Sequence, residues 1–231
     1  VEHPHVGTPA PTPDGRGLGG VAAELGGLAP SCGPVRLIGV DGHAGSGKST
    51  FAGSVAAALG GAPVVHLDDV ACHGELFEWT ERLRVEVLEP LAAGRAAHYA
   101  AYDWVARRFG PARVLKPAPV VLVEGVGAGR RALRSYLARL FWMDVPQQES
   151  WERGRRRDGR ELADFWDGWE RAERAHFADD PSRPFADILV RQCASGYRWT
   201  SGADEAHQTH PSVTESHERK SGGGNLVEGP T

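Results

Sequence analysis

Between an apolar run at residues 35–40 and a helix-prone run at residues 50–59 lies the octet Gly42-His43-Ala44-Gly45-Ser46-Gly47-Lys48-Ser49, which fits the pattern G-x-x-x-x-G-K-[S/T]. This stretch constrains the fold most, because such a loop works only where a buried strand delivers it to the start of a helix. Glycines let the backbone curl until successive N–H groups point at phosphate oxygens, and the positive end of the helix dipole adds to the attraction. The residues expected to hold ATP are Gly42, Ala44, Gly45, Ser46, Gly47, Lys48, Ser49 and Thr50. Lys48 would reach the β- and γ-phosphates, and the Ser49 hydroxyl would bind a magnesium ion. The plain alternative is a glycine-rich turn in a chain with 30 glycines. Against it stands the choice of cation: positive charge is carried almost wholly by arginine, with lysine only at Lys48, Lys116 and Lys220. A compact ammonium on a flexible stem suits phosphate at that one position.

A length of 231 residues with 41% hydrophobic side chains implies one domain with an ample core. Residues 1–20, rich in proline, glycine and histidine, read as a disordered leader, residues 21–199 as the folded domain, and residues 200–231 as a disordered polar tail. His207, His210 and His217 in that tail read as solvated side chains rather than metal ligands. The net charge of -4 gives no bulk electrostatic reason to expect nucleic acid or an anionic membrane as partner. Cys32, Cys72 and Cys193 are odd in number and form no C-x-x-C pair, so reduced thiols are expected rather than a disulfide framework or a zinc site. No run approaches the roughly twenty apolar residues that span a bilayer, and no basic-then-apolar leader is present, so a cytoplasmic location is expected. Oligomeric state is not legible.

Between the tails, short apolar runs alternate with amphipathic segments, the pattern of an α/β fold with a mostly parallel sheet. Strands are predicted at residues 36–40, 64–67, 120–123, 140–145 and 188–191, and helices at 21–28, 49–59, 79–93, 130–137, 149–157 and 161–177. Residues 97–116 read as a small antiparallel insertion.

A phosphate-binding loop does not choose the reaction; carboxylates at the ends of neighbouring strands do, since ligands of open α/β sheets gather there. Val64-Val65-His66-Leu67 ends in Asp68 and Asp69, and Val120-Val121-Leu122-Val123 ends in Glu124. Asp68 is the expected general base for an attacking hydroxyl, and Glu124 the expected organiser of magnesium or its waters. For Asp69 a structural role, as a helix cap or a turn residue, is as expected as a functional one. The run 151–160 concentrates arginine on a helix and its following turn, suited to a lid that stabilises charge moving from donor to acceptor. The plain alternatives are a solvated helix face or a nucleic-acid patch, and flanking acids argue against the latter.

Taken in order, the loop, the Asp68-Asp69 strand end, Tyr102-Asp103-Trp104, Val123-Glu124-Gly125, the arginine run and Arg183-Pro184-Phe185-Ala186-Asp187-Ile188 resemble the uridine kinase family over about residues 35–192. That family belongs to the P-loop kinases, together with phosphoribulokinase and type I pantothenate kinase. The resemblance implies a three-layer P-loop kinase fold with an arginine-rich lid. It also implies use of ATP and Mg2+, Asp68 as general base, and Tyr102 and Trp104 lining a nucleoside pocket. Arg153, Arg156 and Arg157 stand where phosphate-binding lid arginines would be.

Two positions depart from the family pattern. Its Asp-His-Pro-Asp stretch is replaced by Gly74-Glu75-Leu76-Phe77-Glu78-Trp79, and its base-contacting histidine falls on Arg107 or Arg108. A pocket that hydrogen-bonds its substrate rejects one that leaves polar groups unpaired, so these changes bear on the acceptor rather than on the chemistry. With Asp69, Tyr102, Trp104 and Arg107 as acceptor-binding residues, and Lys48, Asp68, Arg153 and Arg157 as catalytic ones, the sequence points to a kinase acting on a hydroxyl of a nucleoside. The alternatives are a kinase for another hydroxylated metabolite and a regulatory protein that binds ATP without transferring phosphate.

Overall fold

The computed structural model describes residues 17–202. Its centre is a six-stranded sheet built from β1 (Arg36–Asp41), β2 (Val64–His66), β5 (Val120–Glu124), β6 (Leu137–Met143), β7 (Ile188–Cys193) and β8 (Gly196–Ser201), in the order β2-β5-β1-β6-β7-β8. All pairs are parallel except β7 with β8. A separate antiparallel hairpin joins β3 (Ala97–Asp103) and β4 (Arg108–Leu115), as the sequence leads one to expect for 97–116.

The period of two explains the layers. On one face Leu37, Val65, Val121 and Val123 pack under Trp79, Leu83, Val87 and Leu91. On the other, Ile38, Val40, Leu122 and Phe141 pack under α1 (Leu18–Gly27) and α2 (Lys48–Ala58) through Val21, Leu25, Phe51 and Val55. Strands buried on both faces read as continuous apolar runs, which is why they were legible.

Several boundaries differ from those predicted. α1 begins at Leu18 rather than residue 21. Leu67 leaves β2 and opens the single turn α3 (Leu67–Val70). The helix predicted at 79–93 runs without a gap from Thr80 to Ala92, but as α4 (Thr80–Leu83), a π turn at Arg84–Leu88 and α5 (Glu89–Ala92). Pro90 supplies the reason: it has no N–H to give and its ring crowds the preceding turn, so the wider turn accommodates it. The helix predicted at 130–137 is only α6 (Arg131–Arg134), because Leu137 is taken as a partner by Leu37 of β1. α7 (Gln147–Asp158) and α8 (Ala163–Asp179) follow the predicted pair closely. The strand β8 was not anticipated. The histidines at 207, 210 and 217, most of the leader and residues 203–231 lie outside the described residues.

Candidate active site

Parallel strands in register bring their carboxyl ends to one edge, and here Val40 and His66 both stand opposite Glu124. That edge opens into a cavity of about 550 Å³. Ala44, Gly45, Gly47, Lys48, Ser49 and Thr50 line its floor. Gly42 and Ser46 lie buried beneath them. The loop is fixed at its start by Asp41, a fully buried carboxylate that accepts the backbone N–H groups of Gly42 at 2.7 Å, Gly127 at 2.9 Å and Gly129 at 2.8 Å. Lys48 is 8% exposed, and its Nζ donates to the His43 carbonyl at 2.9 Å, which arches the loop around the ammonium.

Asp68 and Glu124 line the same cavity. The Ser49 hydroxyl donates to Glu124 Oε1 at 3.1 Å, and His66 Nδ1 bonds that same oxygen, which raises the basicity of the imidazole. The Asp68 residue is open to the cavity solvent, yet protein surrounds its carboxyl closely. That enclosure, and next the negative charge of Glu124, lift Asp68 above the ordinary aspartate range despite Lys48 nearby. Among the described residues no group of three His, Cys, Asp or Glu side chains could form a metal cage. Magnesium does not need one: it binds through one or two protein oxygens, waters and substrate phosphates, and the Ser49–Glu124 pair beside the loop fits that donor set.

The hairpin forms the far wall. Asp103 Oδ1 accepts the N–H groups of Val105 at 2.9 Å and Ala106 at 2.8 Å, a side-chain-capped turn that Arg107 completes in a left-handed conformation (φ 54°). This turn carries Trp104 and Val105 into the cavity lining, and Trp104 Nε1 donates to the Asp68 carbonyl at 3.1 Å. Tyr102 and Arg107, expected beside Trp104, are not in the lining. The Tyr102 hydroxyl bonds His73 Nδ1 at 3.0 Å, and it is His73 that lines the cavity. Burial, then the nearby Arg107 charge, lower the basicity of His73. Asp69 is also outside the lining, paired with Arg113 of β4 at 2.9 Å.

The arginine run resolves by helix face. Arg153 and Arg157, four residues apart on α7, line the cavity; Arg156 does not. Arg155 is tied to Asp167 and Glu170 of α8. Between the two lining arginines sits Gly154, where a Cβ would lie 2.2 Å from a Trp166 ring carbon. Gly45 is as tight, at φ 83° with room for a Cβ only 2.0 Å from the Ser150 carbonyl, so loop and helix touch through their backbones. His73, Phe165, Trp166 and Trp169 complete the wall and were missed in the sequence. An aromatic stripe at helical spacing on α8 reads as core, and nothing local marks the side of it that faces a ligand.

No protein-family model and no curated protein matches the chain. Among solved structures, a possible uridine kinase from Bacillus stearothermophilus matches at 17% identity and a TM-score of 0.51, covering 74% of this chain and 96% of that one. A candidate fructose transport system kinase from Silicibacter sp. TM1040 matches at 21% identity and a TM-score of 0.48, covering 73% and 91%. The described chain therefore has a mostly parallel three-layer α/β fold, the architecture it shares with the Bacillus stearothermophilus structure.

Proposed function

We propose that the protein is a Mg-ATP-dependent kinase that transfers the γ-phosphoryl group to a hydroxyl of a small molecule, most simply a nucleoside. The observation that carries this reading is the sharing of one cavity by the phosphate loop and Asp68. A protein that only binds or slowly hydrolyses ATP has no use for a carboxylate of raised basicity on the acceptor side.

In this reading the loop N–H groups and Lys48 hold the phosphates, while Ser49 and Glu124 are the residues that would hold magnesium. When bound, magnesium neutralises charge between the β- and γ-phosphates. The acceptor oxygen attacks the γ-phosphorus as its proton passes to Asp68, the bond from that phosphorus to the bridging oxygen breaks, and ADP leaves. Arg153 and Arg157 stabilise the charge on the transferring group. Arg153 is now paired with the exposed Glu149, and Arg157, itself exposed, with the partly buried Asp158; pairs with so exposed a member hold weakly enough for phosphate to displace them.

The acceptor end is walled by rings whose polar atoms largely have partners inside the protein: Trp104 with the Asp68 carbonyl, Trp166 with Asp158, and His73 Nδ1 with Tyr102. Ring faces are what remain for a ligand, and a flat base stacks on such faces. The test is a panel of nucleosides and other small hydroxyl compounds, scored by ADP release in the presence of magnesium. At least one nucleoside is expected to raise release well above the basal rate. If no compound does so, the regulatory reading replaces the kinase.

A further inference from the structure

Glu173 stands on α8, far in sequence from the phosphate loop, yet it is fully buried against it. Its Oε1 accepts from His43 Nδ1 at 2.7 Å and Trp151 Nε1 at 3.0 Å. Its Oε2 accepts from the Ala44 N–H at 3.1 Å and Trp169 Nε1 at 2.8 Å. The four donors come from three elements: the loop, α7 and α8. A carboxylate offers about four acceptor sites and no proton, so this one is saturated, and His43 must carry its hydrogen on Nδ1.

Burial by itself would raise the Glu173 carboxyl, but the His43 hydrogen bond, the Lys48 charge and the Ala44 N–H outweigh it and hold the group below the usual range. The carboxylate is therefore charged at neutral pH. The His43 ring is also boxed edge-on by Trp142, Trp151 and Phe177, with centroids 5.3, 6.4 and 5.2 Å away. Apolar side chains of similar volume pack an interior as well as a buried charge does, or better. What the carboxylate adds is one defined geometry between the loop and α7, the helix that also meets the loop at Gly45 and carries Arg153 and Arg157.

We propose that Glu173 is a positioning residue that locks the first half of the phosphate loop to α7, so that the phosphate cradle and the arginine face are held as one rigid unit. It touches no reacting atom and acts through His43, Ala44 and Trp151. The nucleotide consequence rests on the kinase reading; the mechanical one does not.

Glu173→Gln keeps the size but cannot accept four donors, and His43→Ala removes the link from the loop side. Hydrogen exchange is expected to quicken in both residues 43–50 and residues 147–158 of each folded variant, with the sheet protected as in wild type. Mg-ATP affinity per folded molecule should fall about tenfold, or about 1.4 kcal/mol, in both variants, and in His43→Ala, which leaves the Trp169 bond to Glu173 in place, the acceptor KM should be unchanged, a split that a general loss of stability would not give. The double variant should bind no more weakly than Glu173→Gln alone. Wild-type exchange in the loop, or faster exchange confined to α8, overturns the proposal, and His43→Ala decides it if Glu173→Gln does not fold. A wild-type protein that fails to bind Mg-ATP overturns the kinase reading instead and leaves the exchange arm to judge the lock.

Discussion

Asp68 holds its proton more tightly than a free aspartate, through enclosure first and the Glu124 charge second. A carboxyl whose folded pKa lies above its unfolded value of about 3.9 binds more protons in the folded state over the interval between the two values. Stability therefore falls as pH rises through that interval, and above it the ionised group weakens the fold in full. Asp68→Asn removes the charge, so this variant should melt at a higher temperature than wild type at pH 7, and the difference should vanish below about pH 4. The same variant should lose roughly a hundred- to ten-thousandfold in phosphoryl transfer while ATP affinity stays within a few fold. A variant that melts lower at pH 7, or transfers normally, contradicts the assignment. Lys48→Ala is expected to remove most Mg-ATP binding without unfolding the chain, read by calorimetry; unchanged affinity contradicts the role of the loop. These two residues were legible because each sits at a fixed offset from an apolar run. Asp41 was not, although it directly precedes the loop, because its acceptor role towards Gly127 and Gly129 appears only in the fold, and Glu173 was not, because its partners lie up to 130 residues away.

α7 shows what a helix decides that a charge run does not. At residues 153 and 157 the run faces the cavity, at 155 it faces α8, and at 156 it does neither. Arg153→Ala should lower transfer on the order of a hundredfold, the cost of removing one preorganised donor, whereas Arg156→Ala should leave it unchanged. Equal effects at the two positions would make the run a surface feature. Gly154→Ala puts a methyl 2.2 Å from the Trp166 ring and should destabilise by about 1–3 kcal/mol in urea unfolding. No loss would mean that α7 and α8 separate freely. At this scale the sequence resolves the helix and its charge but not its rotation, which is set by contact with the loop and with Trp166. Strand β8 escaped for a related reason: its apolar residues, Tyr197 and Trp199, alternate with polar ones over only six positions and gain their meaning by pairing with β7.

Across the whole molecule, the position of the cavity follows from register. The order β2-β5-β1 places three adjacent strands with their carboxyl ends level, so Asp68, Glu124 and the loop meet although they are distant in the chain. This convergence was readable in advance, because parallel α/β sheets gather ligands at that edge. The far wall of the cavity was not, because it is assembled from the hairpin turn, His73 and α8, each positioned by tertiary contacts. The most direct test follows the label from γ-labelled ATP in the presence of magnesium and a nucleoside panel, comparing wild type with Asp68→Asn at equal ATP occupancy. Label is expected in a phosphorylated hydroxyl compound with wild type and almost none with the variant; label recovered from wild type only as inorganic phosphate, or not released at all, would rule out transfer to a hydroxyl acceptor.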